Sequence, residues 1–74
     1  SNWKGSADDL IGKQLTGARL GMLGMGRIGQ KIANVANSLG MIIHYHNRSK
    51  LSPEKEQGAV YHDNLKSLMK VSDV

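Results

Sequence analysis

The chain has 74 residues, 39% of them apolar, and its ten Lys and Arg against six Asp and Glu give a net charge of +4. This length allows at most one domain, and the absence of cysteine excludes a disulfide framework and thiolate metal or redox sites. The apolar runs are too short for a membrane span. The first residues do not have the pattern of a secretory signal, so we expect a soluble, cytoplasmic protein.

The positive charge is concentrated in the middle of the chain. Residues 10–53 contain six basic residues and no acid, whereas residues 1–9 and 54–74 each sum to −1. A basic stretch of this kind is typical of proteins that bind an anionic ligand or nucleic acid. A solvated surface without a ligand is the alternative interpretation.

The chain begins with a connector and continues with strand patterns. Residues 1–18 are polar and broken by glycines, which predicts a loop leading into the folded part, with a short turn over residues 8–11. Three short apolar runs predict buried strands over 19–24, 41–46 and 59–61. Residues 71–74 predict the start of a fourth strand.

Helices are predicted between these strands. Apolar residues at helical spacing predict a helix over 27–39, which Gly40 ends. The Ser52–Pro53 pair predicts the N-cap and first residue of a short helix that ends at Gly58, and Asp63 is the predicted N-cap of a last helix. The side chains expected to face the sheet are Ile28, Ile32, Val35 and Leu39 of the first helix and Leu65, Leu68 and Met69 of the last.

The regular alternation of strands and helices predicts an α/β fold with a parallel sheet. A parallel sheet needs cover on both faces, so we expect the helices to lie on both sides of it. Three strands and the start of a fourth predict that the chain forms part of a doubly wound, Rossmann-type sheet. We expect its first three strands to lie in the order 3-2-1. The chain is therefore expected to be a fragment of a longer protein.

Residues 24–29, Gly-Met-Gly-Arg-Ile-Gly, form a G-x-G-x-x-G motif between the first predicted strand and helix. In this context the motif binds the pyrophosphate of a dinucleotide. Gly24 permits the tight turn, Gly26 lets the backbone approach the pyrophosphate, and Gly29 lets the helix pack close to the strand. The helix N-terminus attracts the anion. Residues 19–74 are thus predicted to be the N-terminal part of a dinucleotide-binding domain, the alternative being a glycine-rich packing turn without a ligand.

The residues after the second strand bear on the identity of the dinucleotide. Proteins that use NAD place an acid there to bind the ribose 2′-OH, but the first acid in this chain after that strand is Glu54. Asn47, Arg48 and Ser49 stand in its place, and their side chains can donate hydrogen bonds to a 2′-phosphate. We therefore predict NADP rather than NAD, unless Arg48 and Lys50 merely belong to a solvated loop.

The histidines do not predict a metal or acid–base site. His44 and His46 share one face of the second strand, and His62 follows the third strand. No cysteine or carboxylate supports a metal site beside them, and none has a nearby carboxylate partner for acid–base catalysis. His46 is expected instead to line the adenosine side of the cleft.

Residues 17–30 (GARLGMLGMGRIGQ) resemble the start of the cofactor domain of D-isomer-specific 2-hydroxyacid dehydrogenases. Residues 39–48 are similar to the second strand of the glyoxylate and hydroxypyruvate reductases of that family, which use NADPH. Residues 65–74 match the family's next helix and the start of the strand that follows. The resemblance covers nearly the whole chain.

The resemblance implies an oxidoreductase that transfers hydride between NADP(H) and a small 2-oxo or 2-hydroxy acid, in a homodimer with separate cofactor and substrate domains. The family's catalytic Arg, His and Glu lie C-terminal to the part that this chain matches, so no catalytic residue is assigned. The predicted cofactor-binding residues are Gly24, Gly26, Arg27, Ile28 and Gly29 at the pyrophosphate turn, and Asn47, Arg48 and Ser49 at the 2′-phosphate.

Two other functions are compatible with the sequence. One is a nucleotide-sensing binding module without turnover, similar to the dehydrogenase-like transcriptional corepressors, and the sequence that follows residue 74 would distinguish it from an enzyme. The other is a small basic nucleic-acid-binding protein. It is disfavoured because the basic residues border a nucleotide-type turn and few aromatic residues are available to stack on bases.

Overall fold

The computed structural model describes residues 15–74. Most of the predicted connector, including the turn over residues 8–11, lies outside the described residues. In the described part, strands and helices alternate along the chain as the sequence predicts, and the α/β class is confirmed. The elements are β1 (Arg19–Leu23), α1 (Arg27–Ser38), β2 (Ile42–His46), α2 (Pro53–Glu56), β3 (Val60–Tyr61) and α3 (Leu65–Val71).

The three strands form one parallel sheet in the order β1-β2-β3, which confirms the predicted neighbours and direction. Gly21 of β1 is paired with His44 of β2, and His44 in turn with Val60 of β3. The backbone N–H of Gly24 donates to the carbonyl of His46 at 2.8 Å, at the end of the ladder where Leu23 of β1 is paired with His46 of β2. The carboxyl ends of β1 and β2 therefore lie side by side.

The predicted fourth strand begins later than expected. Val71 is still the last residue of α3, and residues 72–74 are not assigned to a strand. Val74 nevertheless donates its N–H to the carbonyl of Arg19 and accepts from the N–H of Gly21, both at 3.2 Å. This alternation is the hydrogen-bond pattern of a parallel ladder, so Val74 lies along the edge of β1 that β2 leaves free.

The predicted core face of α1 is wrong. Ile28, Ile32 and Val35 are 74%, 50% and 61% exposed, whereas Ala33 and Ala36 are buried. The residues of α1 that face the sheet are thus shifted by one position from the predicted residues, which is a rotation of about 100° around the helix axis. Small side chains on that row let the helix axis approach the sheet closely, and the larger β-branched side chains point away from it. Ala33 and Ala36 belong to the same buried core as Met25, Met41, Ile43 and Tyr45.

The two shorter helices also depart from the predictions in detail. The first, α2, ends at Glu56 rather than at Gly58, because Gln57 already adopts a left-handed conformation with φ +50°. The N-cap of α3 is Asn64 rather than Asp63, and the Asn64 side chain accepts a hydrogen bond from Ser67 N at 2.7 Å. In α3, Leu68 is buried while Leu65 and Met69 are exposed. No helix within residues 15–74 is both long and apolar enough to cross a membrane.

Candidate cofactor-binding site

The glycine-rich segment forms a tight turn between β1 and α1. Gly24 has φ +89°, a conformation that side-chain-bearing residues rarely adopt, and Met25 fills the core beneath it at 1% exposure. A Cβ at Gly29 would lie 3.1 Å from the carbonyl oxygen of Gly24 and 3.3 Å from Cε of Met22. The first turn of α1 therefore packs directly against the turn and against β1.

The N-terminus of α1 has the properties of an anion site. Its N-cap is Gly26, no side chain caps the helix, and no acid lies in the first turn. The first N–H groups of a helix have no partner within the helix, and they lie at the positive end of its dipole. A Cβ at Gly26 would meet nothing within 4 Å. The backbone of Gly26, Arg27 and Ile28 therefore has the space and the donors that a pyrophosphate requires.

Asn47 joins the end of β2 to this turn. Its Oδ1 accepts a hydrogen bond from the backbone N–H of Met25 at 2.7 Å, and its carbonyl accepts one from the Tyr61 hydroxyl at 3.2 Å. Asn47 is half-buried. Because Oδ1 is used by Met25, the amide group Nδ2 is the end of the side chain left to donate to a ligand.

Arg48 and Ser49 lie in the loop that follows Asn47 and are exposed, as is Lys50. The first acids after this loop are Glu54 and Glu56 of α2, and Glu56 is bonded to a buried tyrosine hydroxyl. Arg48 and Ser49 are thus accessible in a loop whose first residue, Asn47, is bonded to the glycine-rich turn.

Arg27 is exposed at the start of α1. It lines a groove of about 420 Å³ together with Gln30, Lys31 and Asn34 of α1 and Gln57 at the end of α2. The Ile28 side chain is likewise exposed on the outer face of the helix. These two residues can contribute their backbone N–H groups to the predicted pyrophosphate site, which is where the sequence motif places them.

The sequence interpretation missed Tyr45, which links the loop to the core. Its side chain is completely buried, and its hydroxyl donates to Glu56 Oε2 at 2.5 Å and accepts from Leu51 N at 3.0 Å. Burial, together with the hydrogen bond to the Glu56 carboxylate, raises the pKa of Tyr45 to about 12. Strand alternation puts Tyr45 and Ile43 on the buried face of β2, which is a signal that the sequence did contain.

The histidines form a hydrogen-bonded group on the α3 side of the sheet. Nδ1 of His44 lies 2.8 Å from Nε2 of His62, whose Nδ1 lies 2.6 Å from Ser67 Oγ. Nδ1 of His46 lies 2.7 Å from the carbonyl oxygen of His62. Burial, and then the neighbouring His62, lower the pKa of His44. His46 is thus bonded to the residue that follows β3. The expectation that it lines an adenosine cleft remains a prediction.

Among residues 15–74, no group of three or more His, Cys, Asp or Glu is arranged to hold a metal ion.

Known proteins are similar to this chain in sequence and architecture. The family model described as the D-isomer specific 2-hydroxyacid dehydrogenase, NAD binding domain, matches residues 1–74. A 4-methyl-2-oxopentanoate reductase A of Aspergillus oryzae is 47% identical over 72 residues, which are 97% of this chain and 21% of the relative. A glyoxylate reductase of Aeropyrum pernix is 47% identical over 66 residues, which are 88% of this chain and 19% of the relative.

A solved structure is similar as well. It is described as a D-isomer specific 2-hydroxyacid dehydrogenase, NAD-binding, from a Polaromonas species. It is 54% identical, with a TM-score of 0.79, and the match covers 96% of this chain and 23% of that chain. The chain spans about a fifth of the length of the curated relatives that it matches. The match to the family model covers the whole chain, and the parallel sheet and glycine-rich turn agree with it. The chain belongs to the D-isomer-specific 2-hydroxyacid dehydrogenase family and corresponds to part of its NAD-binding domain.

Proposed function

We propose that this chain binds the adenosine and pyrophosphate portion of NADP(H) within a longer reductase of small 2-oxo acids. The observation that carries the proposal is the bond between Asn47 and Met25, which puts the loop bearing Arg48 and Ser49 next to the glycine-rich turn. Relatives named as glyoxylate reductase and 4-methyl-2-oxopentanoate reductase support the substrate class. The proposal includes a cytoplasmic homodimer for the complete protein, as the family resemblance implies.

The preference for NADP over NAD follows from the charges near the end of β2. A carboxylate at that position would bind a ribose 2′-OH and repel a 2′-phosphate. This chain has an amide at Asn47, a guanidinium at Arg48 and a hydroxyl at Ser49. Hydrogen bonds from a guanidinium to phosphate are charge-assisted and two-pronged, so this loop favours the cofactor that carries the phosphate.

The role of the described residues in the reaction is binding and orientation. The cofactor, when bound, supplies or accepts the hydride. The backbone at Gly26–Ile28 would hold the pyrophosphate and the loop after β2 would hold the adenosine ribose, which together fix one half of the dinucleotide. No residue between 15 and 74 is assigned a catalytic role.

Turnover by the complete protein tests this proposal. We expect oxidation of NADPH with glyoxylate or hydroxypyruvate as substrate, with a higher kcat/KM for NADPH than for NADH. The isolated 74-residue chain serves as a control and is expected to show no turnover. Nucleotide binding without turnover by the complete protein would favour the corepressor-like alternative, and a preference for NADH would overturn the NADP assignment.

A further inference from the structure

We propose that Tyr45 is a positioning residue for recognition of the cofactor. Its hydroxyl holds the far end of the loop that carries Arg48 and Ser49, so that the contribution of Arg48 to 2′-phosphate binding depends on a buried group that never touches the cofactor. The inference rests on the proposed function, because it assumes that this loop binds the 2′-phosphate.

The loop is held at both of its ends. At its start, Asn47 is bonded through Oδ1 to Met25 N and through its carbonyl to the hydroxyl of Tyr61. At its end, the backbone N–H of Leu51 donates to the hydroxyl of Tyr45 at 3.0 Å. Residues 48–50 lie between these two anchors and are exposed. The structure thus fixes the ends of the loop and leaves its three middle side chains accessible.

The anchor at Leu51 is itself oriented by α2. The Tyr45 hydroxyl has one proton, which it donates to Glu56 Oε2 at 2.5 Å. Its oxygen lone pairs are therefore left to accept the N–H of Leu51. The Tyr45 ring is completely buried and packs against Tyr61, with ring centroids 5.3 Å apart. A buried ring with a satisfied hydroxyl is a rigid support for the loop.

An anchored loop matters more for NADPH than for NADH. A guanidinium that binds a phosphate through two parallel hydrogen bonds requires a defined orientation, and a loop with one free end would have to be ordered when the cofactor binds. NADH has no 2′-phosphate and does not use that orientation. Loss of the anchor should therefore weaken NADPH selectively.

A double-mutant cycle on the complete protein tests this inference. The variants are Tyr45→Phe, Arg48→Ala and the combination, and the readout is the Kd of NADPH and of NADH measured by fluorescence titration. We expect Tyr45→Phe to weaken NADPH about three- to tenfold, the size of one net hydrogen bond, and to change NADH less. In the Arg48→Ala background the same substitution should have no further effect on NADPH, because coupled residues are not additive.

Further variants separate positioning from general destabilisation. Glu56→Gln keeps an acceptor for the tyrosine hydroxyl and should bind NADPH like the wild type, whereas Glu56→Ala should weaken NADPH in the direction of Tyr45→Phe. Ser72→Ala removes a hydroxyl that donates to Leu68 O at 2.7 Å elsewhere in the fold, and it should leave the NADPH to NADH ratio unchanged. If Tyr45→Phe is too unstable to measure, Glu56→Ala takes its place in the cycle.

The possible outcomes are distinguishable. Equal weakening of both cofactors by Tyr45→Phe, or an effect that adds fully to that of Arg48→Ala, would overturn the positioning role while leaving the proposed function intact. An Arg48→Ala variant that binds NADPH like the wild type would instead refute the assignment of the 2′-phosphate site, and the positioning role would fall with it.

Discussion

The side chain of Asn47 and the backbone of Met25 are joined by a hydrogen bond of 2.7 Å, with Oδ1 as the acceptor. Asn47 immediately follows β2, and Met25 lies in the middle of the glycine-rich turn after β1. The bond links the two regions that the family resemblance assigns to the ribose and to the pyrophosphate. It also gives Asn47 a structural role in addition to the ligand-binding role that the sequence predicts.

Asn47→Asp should change cofactor preference without disrupting the turn. An aspartate keeps an oxygen that accepts the Met25 N–H and replaces the donor Nδ2 by a second acceptor. That carboxylate would repel a 2′-phosphate and accept the 2′-OH of NADH. We expect the ratio of kcat/KM for NADPH to that for NADH to fall about tenfold or more.

Asn47→Ala is the matched control, because it removes the bond to Met25 without adding charge. This variant should weaken both cofactors through the turn, and NADPH somewhat more than NADH because the Nδ2 donor is lost as well. The ratio of NADPH to NADH should therefore fall less than in Asn47→Asp. If the ratio of kcat/KM for NADPH to that for NADH is unchanged in Asn47→Asp, Asn47 stabilises the turn but does not contribute to cofactor preference.

Gly24→Ala should destabilise the fold and weaken cofactor binding. Gly24 has φ +89°, and a residue with a Cβ in the left-handed region costs about 1–2 kcal/mol. Gly58→Ala is a suitable control. Gly58 has φ +87° and, like Gly24, open space where a Cβ would lie, but it follows α2 and is not part of the glycine-rich turn. Urea unfolding should show similar losses for both variants, while only Gly24→Ala should raise the Kd of the dinucleotide. Equal effects of the two variants on the Kd of the dinucleotide would show that the turn is not part of the binding site.

Tyr45 should make the stability of the protein sensitive to alkali. Its pKa is raised to about 12 in the folded state, against 10 for an unperturbed tyrosine. The folded state therefore favours the protonated hydroxyl, and this contribution is fully present below pH 10 and is lost as the pH rises through 12. A shift of this size corresponds to about 2–3 kcal/mol of unfolding free energy.

The difference between wild type and Tyr45→Phe isolates this effect. The free energy of unfolding of the wild type should fall more steeply than that of Tyr45→Phe between pH 10 and pH 12. Parallel curves for the two proteins across that range would contradict a raised pKa at Tyr45.

The sequence predicted the alternation of elements, the parallel sheet and the position of the glycine-rich turn, because short apolar runs and glycines specify these features locally. It placed the buried face of α1 on Ile28, Ile32 and Val35, since large apolar residues dominate the pattern. The row Gly29, Ala33 and Ala36 has the same spacing. The helix lies close to the sheet, and only small side chains fit between them. Which side of α1 is buried is therefore decided by tertiary packing and not by the local sequence pattern.

The sequence also identified the loop after β2 but not what holds it. The partners of the Tyr45 hydroxyl lie 6 and 11 residues away along the chain, and neither Leu51 nor Glu56 belongs to a recognisable motif. The choice of Asn64 over Asp63 as the N-cap of α3 was equally undetermined, because adjacent Asp and Asn residues have similar capping preferences. Local pattern therefore located the candidate site, and tertiary contacts determine its geometry.

The proposed recognition of the 2′-phosphate by Arg48 is tested most directly by the Kd of NADPH and NADH. These are measured for the wild type, Arg48→Ala and Lys50→Ala of the complete protein. Lys50 is an exposed cation in the same loop and controls for loss of charge alone. Arg48→Ala should weaken NADPH about tenfold to a hundredfold, as expected for hydrogen bonds to a charged group, and leave NADH nearly unchanged, while Lys50→Ala should have a much smaller effect. Equal weakening of NADPH and NADH by Arg48→Ala would overturn the assignment of Arg48 to the 2′-phosphate.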